Sequence, residues 1–428
     1  MKVLVLPLPD LTHVNSFRHL INRLADFGHD CTIYIKEEHE HLIDKSNYTV
    51  KYYDKYFIDN IFYLNKNLRK NTDSLPYDKD KLTLDNIESN CDGYMASYVF
   101  RIRCMKKYLK TSEDFSCYDL VLYDHNLIFG DYISKVYGIP SVTLIPSWSP
   151  TEKCREENLI AYINMLYFSN IYDDTFEEKD IKEKIITSLD KMSEKISSLT
   201  KTPYDFFQSG ISKLNVFSTS KELYPYGYDE NKVAFIGRDI KDSHEKTYKK
   251  DHKKKKIMFY FGKIETNEQL ELFRCILQNL KSLPYEIHAA IRNRNEEQYL
   301  DEDMRKTIIL DEKLSENLPE MDLYICHGGL GGLQESIIEG VPIIGIGTSG
   351  ERFEYIKRID QLGLGKSISP DCESINRCLN KTIEEVLNCE DFRKKCETYG
   401  KSLMINENDL DNVIRKILNV PKLIYGRD

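Results

Sequence analysis

The sequence predicts an α/β protein built from two doubly wound parallel-sheet domains, and three observations carry that prediction. Its 428 residues exceed the size at which a single hydrophobic core keeps growing. Short apolar runs alternate with amphipathic helical stretches in the first third of the chain and again after residue 257, the pattern that places helices on both faces of a parallel sheet. A charged, lysine-rich connector separates the two series. The expected division is an N-terminal domain over 1–237 with a helical insertion at about 150–215, a linker over 238–256, and a C-terminal domain over 257–428 whose last helix packs back on the N-terminal domain.

Taken in order, KVLVLPL reads as a buried strand, followed by a polar turn, DLTHVNS, and an amphipathic helix that ends near FGHD. CTIYI is the next strand. YDLVLYD and IPSVTLI bracket a helical segment, DYISKVYG. No G-x-G-x-x-G follows the first strand, which disfavours an NAD-type dinucleotide site. After Pro150 the alternation gives way to long charged helices such as EEKDIKEKIITSLDKMSEKISSLT, which suit a flap or one wall of a cleft. LNVFSTS and VAFIG resume the strands; IMFYF, YEIHAAI, TIIL, LYIC and VPIIGIG form the second series.

Composition narrows the function classes. Hydrophobic residues make up 41%, enough for sizeable cores, and no stretch approaches the roughly 18 uninterrupted apolar residues of a membrane span. The N-terminal apolar run is too short for a signal peptide, so a cytoplasmic location is expected. Eleven scattered cysteines without a C-x-x-C pair fit reduced thiols rather than a disulfide framework or a zinc site. A net charge of −9 gives no general attraction to nucleic acid. The local exception, KKDHKKKK at Lys249 to Lys256, reads as solvated linker. Oligomeric state is not legible.

The chemistry concentrates in HGGLGGLQESIIEGVPIIGIG, His327 to Gly347, with five glycines in its first fourteen residues. The flanks predict a strand over Asp322 to Cys326, a helix over Leu333 to Glu339 and a strand over Val341 to Ile346. Glycines at such a turn let backbone approach a ligand closely, and the unpaired N–H groups of a helix start attract anions, phosphate above all. His327 at the strand end, Glu335 in the first helical turn and the polar run Thr348 to Arg352 are expected to converge at the carboxyl edge of the sheet, where open α/β sheets bind ligands.

This stretch, continued through TSGERFEYIKRIDQLGLG, resembles the donor-binding signature of the UDP-glycosyltransferase family, H-G-G-x-N-S-x-x-E, then G-V-P, D-Q and G-x-G. THVNS near the start, the VLYD to YGIP segment, and FIG before the lysine run are similar to that family in the same order. The resemblance implies a GT-B architecture, two Rossmann-like domains facing across a cleft, with acceptor on the first and nucleotide sugar on the second. His327, Gly329, Gly331 and Gly332 would hold the diphosphate and Glu335 the ribose, with no metal and no cofactor beyond the nucleotide-sugar co-substrate. His13 matches the family's catalytic base and Asp124 the acid that orients it. A hydroxyl is a poor nucleophile until a base removes its proton, and a carboxylate on the far ring nitrogen fixes the tautomer. The implied reaction is inverting hexosyl transfer from a UDP-type donor to a hydroxyl of a small lipophilic acceptor.

The chain departs from the pattern at identifiable places. Asn-Ser becomes Gly331-Gly332, which removes two side-chain contacts to phosphate and leaves backbone alone, and the sugar-holding Asp-Gln becomes Glu351-Arg352, where an arginine favours an acidic or differently substituted sugar. Lys263 stands where a serine or threonine nucleotide contact is expected, and the one tryptophan, Trp148, lies in the other half from the base site. The tyrosine-rich YTVKYYDKYF and the helical region after Pro150 are expected to wall the acceptor pocket. Two alternatives share the architecture: a sugar-nucleotide epimerase, which would convert donor without acceptor, and a catalytically degenerate nucleotide-sugar-binding protein.

Overall fold

In the computed structural model the described residues are 1–62, 84–110, 112–149, 151–157, 178–201, 203–205, 212–238, 254–262, 267–290, 302, 308–311, 314–347 and 350–425. Lys263, Thr348, Ser349 and most of the expected linker lie outside them. The first sheet contains β1 (Lys2–Leu6), β2 (Asp30–Ile35), β3 (Thr49–Tyr52), β4 (Leu120–Asp124), β5 (Ser141–Ile145), β6 (Leu214–Phe217) and β7 (Val233–Phe235), in the order β3-β2-β1-β4-β5-β6-β7. The second contains β8 (Lys256–Tyr260), β9 (Glu286–Ala290), β10 (Ile308–Asp311), β11 (Leu323–Cys326), β12 (Ile343–Gly345) and β13 (Gly365–Ser367), in the order β10-β9-β8-β11-β12-β13. Pairing is parallel throughout.

These strands read as unbroken apolar runs because helices cover both faces. Val3, Leu4, Val5 and Leu6 are all fully buried, two in each of two cores. The helix Leu11–Ala25 buries Val14, Phe17, Leu20, Ile21 and Leu24, one stripe at helical spacing. It starts at Asp10, whose side chain accepts from the Thr12 N–H at 2.9 Å. The expected polar turn DLTHVNS is therefore mostly helix, and His13 sits in its first turn. In both sheets the strand order reverses beside the first strand, between β1 and β4 and between β8 and β11. Such a switch point opens a crevice at the carboxyl ends of the strands.

Three local expectations change. TVKY of the tyrosine-rich stretch forms the edge strand β3, and Tyr53 and Phe57 beyond it are buried in an aromatic core with Tyr108 and Phe129. A helix over Leu84–Tyr108, unmarked in the sequence reading, packs along Glu178–Thr200 of the insertion. The end of the lysine run is not solvated linker: Lys256 opens β8 and lies 3.1 Å from Glu320, while Lys255 lies 3.3 Å from the buried Asp322. Among the described residues no helix is long and apolar enough to cross a membrane.

The two halves are joined by side chains as well as by the chain. One core mixes Ile145, Trp148, Phe217 and Tyr224 of the first half with Tyr324, Leu330, Leu333 and Tyr355 of the second. The last helix, Glu407–Tyr425, places Leu410, Val413, Ile414 and Ile417 against Val142, Leu144 and the first helix, and Asp411 receives two hydrogen bonds from Arg23 at 2.9 and 3.1 Å. Ile414→Ala is expected to cost about 2–5 kcal/mol of stability, read by urea denaturation; a midpoint within error of wild type would contradict the place given to this helix in the first core.

Candidate functional site

His13 and Asp124 flank the first switch point, one on the helix that follows β1 and the other at the end of β4. Their side chains meet: His13 Nδ1 lies 2.7 Å from Asp124 Oδ2. The carboxylate is 2% exposed and the ring 22%. Burial opposes charge on the ring, yet the charge and hydrogen bond of Asp124, assisted by Asp10 and Glu351, outweigh it and raise the His13 pKa. Burial likewise pushes Asp124 up, but His13 and His125 overcome it and hold the carboxyl far below the usual range. The other oxygen, Oδ1, accepts from the Asn126 N–H at 2.9 Å. With Nδ1–H donated to a fixed carboxylate, Nε2 is left as the basic nitrogen of the ring.

The second switch point carries the glycine-rich turn. Gly328 has φ of +89°, and a Cβ there would stand 2.6 Å from Ile356 and 2.9 Å from the Arg352 carbonyl oxygen, so glycine is required on both counts. The helix Leu330–Ile338 begins at Gly329 without a side-chain cap, three residues before the expected start, so Glu335 stands in its second turn rather than its first. Its first N–H groups are left to a ligand. His327 is buried, with Nδ1 3.4 Å from the Tyr260 carbonyl oxygen and its Nε2 3.0 Å from where a Cβ on Gly329 would be. Burial, then the charge of Arg352, depress its pKa to about 3. The ring is thus neutral at ordinary pH, and with its single proton on Nε2, facing the turn, rather than on Nδ1 it offers an anion a hydrogen bond, not a charge.

Both departures at the turn have structural reasons. A side chain at Gly332 would meet the Tyr324 hydroxyl at 2.5 Å, and one at Gly331 would meet Arg238 Nη2 at 3.3 Å. Glu335, the expected ribose acceptor, pairs with that same Arg238 at 3.1 Å. Glu351 and Arg352 occupy the first turn of the helix Gly350–Leu362. Burial raises the Glu351 pKa against the lowering effects of Arg352, His125, Tyr355 and His13. That carboxylate therefore lies within electrostatic reach of the His13–Asp124 pair of the other half.

His327, the turn and Arg352 come together at one sheet edge, and Glu351 lies within electrostatic reach of His13 without a direct bond to it among the described residues; Glu335 lies one helical turn deeper, against Arg238, and Lys263 is outside the described residues. Sequence reasoning passed over three neighbours. Arg238 stood only as the first residue of a linker. His125 follows Asp124, with its buried Nδ1 3.6 Å from Asp124 Oδ1 and without a hydrogen-bond partner among the described residues. Tyr355 holds the halves in register: its hydroxyl accepts from the Trp148 backbone N–H at 3.2 Å and lies 3.4 Å from Glu351 Oε2, while its ring packs edge-on to the Trp148 indole. Trp148 thus joins the domains instead of meeting a base. No local pattern marks Arg238 and Tyr355, whose partners Glu335 and Trp148 are distant in sequence, and His125 beside Asp124 carries no motif of its own.

Residues 315–400, which carry the turn, match the family model described as UDP-glucoronosyl and UDP-glucosyl transferase. Over nearly its whole length the chain is similar to an uncharacterized UDP-glucosyltransferase, YojK, of Bacillus subtilis (strain 168), 21% identical over 407 residues that cover 94% of this chain and 93% of that protein. The NDP-glycosyltransferase YjiC of Bacillus licheniformis is 21% identical over 262 residues, covering 59% of this chain and 60% of that one. Among solved structures, the glycotransferase of kitacinnamycin aligns with a TM-score of 0.64 at 16% identity, covering 97% of this chain and 98% of that one. The spinosyn rhamnosyltransferase SpnG complexed with thymidine diphosphate aligns with a TM-score of 0.63 at 15% identity, covering 97% and 100%. The chain thus has the GT-B fold of those structures, and within it residues 315–400 match the UDP-glucoronosyl and UDP-glucosyl transferase family model.

Proposed function

We propose that this glycosyltransferase transfers a hexosyl group, with inversion and without a metal ion, from a nucleoside diphosphate sugar to a hydroxyl of a small lipophilic acceptor. The observation that carries the reading is the His13–Asp124 hydrogen bond of 2.7 Å, set within electrostatic reach of Glu351 from the opposite half. In this reading His13 Nε2 takes the proton of the acceptor hydroxyl as that oxygen bonds to the anomeric carbon. The bond from that carbon to the diphosphate oxygen breaks, and the electron pair leaves with the nucleotide. One displacement inverts the anomeric centre. Asp124 keeps the ring oriented and stabilises the imidazolium that forms.

The leaving diphosphate gains charge, and the groups assigned to it are the start of the helix Leu330–Ile338, the backbone of Gly329, Gly331 and Gly332, and an N–H of neutral His327. Glu335 is assigned to the ribose hydroxyls and Glu351 with Arg352 to the donor sugar. The dipole of a helix start and nearby arginines can stabilise such an anion electrostatically, which supports a reaction that needs no bound cation. The small lipophilic acceptor is taken from the family resemblance, since the rings of Tyr53, Phe57 and Phe129 in the same half as the base are packed in its core. The names of the relatives include both UDP- and NDP-linked transferases, and SpnG was solved with thymidine diphosphate, so the base is tested with both nucleotides. Those names also favour transfer over epimerisation.

His13→Ala is expected to leave nucleotide affinity intact and to lower kcat by roughly 10²- to 10⁴-fold, the usual share of a general base, with a loss of stability because the buried Asp124 carboxylate loses its partner. Asp124→Asn should lower it in the same direction, and the double variant should lose less than the product of the two single losses. These are read by turnover on an acceptor found in a mass-spectrometric screen, with calorimetry for the nucleotide; near-wild-type turnover of His13→Ala would sink the mechanism. For the donor, Arg352→Gln should move preference toward an uncharged hexose, measured as the ratio of UDP-glucuronic acid to UDP-glucose use in competition. An unaltered ratio would remove Arg352 from sugar selection.

A further inference from the structure

Arg238 stands where the first half ends. It follows Gly237 just beyond β7, and its backbone is bound on both sides to the segment that joins the last two helices: its N–H donates to the Leu403 carbonyl at 2.7 Å and its carbonyl accepts from the Ile405 N–H at 3.3 Å. Its side chain crosses to the second half. Nη2 lies 3.1 Å from Glu335 Oε1, Nη1 3.3 Å from Gln334 Oε1, and Nη2 3.3 Å from where a Cβ on Gly331 would be. Gln334 in turn donates to the Ser218 carbonyl of the first half at 3.0 Å. The guanidinium therefore lies over the uncapped start of the helix Leu330–Ile338, in the space that a side chain at 331 would need.

That is an unfavourable place for a cation without an anion. A helix start carries partial positive charge and repels a guanidinium. The Arg238 side chain is 12% exposed, and its Nε is buried with no acceptor among the described residues. Glu335, itself 21% exposed, is its one carboxylate partner among the described residues. A diphosphate would relieve each of these conflicts, since it is an anion with many acceptor oxygens that both the helix start and the guanidinium attract.

We propose that Arg238 is a diphosphate ligand of the donor site, turning from Glu335 to phosphate oxygens when nucleotide binds and releasing Glu335 to accept from the ribose. The inference rests on the reading of the glycine turn and Glu335 as the donor site. It supplies the charge that neutral His327 does not, and the side-chain contact that Gly331 gave up.

The test is calorimetry with UDP and dTDP, and with uridine and thymidine, on wild type, Arg238→Gln, Arg238→Lys and Glu335→Ala. For whichever diphosphate wild type binds, Arg238→Gln should weaken affinity about 10- to 100-fold, as expected for hydrogen bonds to a charged group, and flatten its dependence on salt, with nucleoside affinity held within about twofold. Arg238→Lys, with the charge but not the fork, should fall between, and it carries the test if Arg238→Gln does not fold. Unchanged or tighter diphosphate binding in Arg238→Gln, or an equal loss for diphosphate and nucleoside, overturns the proposal. Wild type that binds neither diphosphate, or a Glu335→Ala variant with unaltered binding, sinks the donor-site reading and the proposal with it; loss in Glu335→Ala alone sinks only the role of Arg238.

Discussion

The burial of Asp124 is the constraint around which the active half is arranged. A carboxylate at the end of a central strand, 2% exposed, is costly unless a partner and hydrogen bonds receive it. His13 and the Asn126 N–H do so, and the position of His13 is fixed in turn by Asp10, which caps its helix. Strand order completes the arrangement. Because β4 pairs beside β1, the residue after the first strand and the residue ending the fourth strand meet at one crevice, although 111 positions separate them. A structural requirement and a chemical one are thus met by one hydrogen bond: the pair that makes Asp124 tolerable also leaves His13 with a basic nitrogen of raised pKa.

The second half repeats the topology with a different use for its crevice. There the first turn after the switch strand is bare backbone, and the nearby charges come from side chains carried by other elements. Arg352 lies one strand further on and depresses His327, while Arg238 arrives from the other domain. Trp148 and Tyr355 then set the distance between the halves, through a packed ring pair and a hydrogen bond that ends beside Glu351. The helix that carries Glu351 is in this way tied to the loop that follows β5 of the first half.

What the sequence made legible follows from how local each signal is. Parallel strands covered on both faces read as apolar runs, so β1, β4, β5, β8, β11 and β12 could be placed to within a few residues. The turn at Gly328 was marked because its φ admits little but glycine. Pairings that depend on topology left no mark. Arg238 and Glu335 are 97 positions apart and read as linker and ribose contact until the fold brings them together. The losses at 331 and 332 looked like deleted phosphate contacts. They are also spaces taken by Arg238 and by the Tyr324 hydroxyl. Charge runs misled for a related reason, since Lys255 and Lys256 meet carboxylates that only the second sheet places beneath them.

Whether His13 and Asp124 form one coupled buried pair is measured most directly by NMR titration of the His13 imidazole in wild type and in Asp124→Asn, without need of any substrate. In wild type the ring should titrate above its ordinary value of 6.5, because the carboxylate outweighs burial. In Asp124→Asn burial acts without its counterweight, and the midpoint should fall below that value. Equal midpoints in the two proteins, or a wild-type midpoint already below the ordinary value, would contradict the coupling.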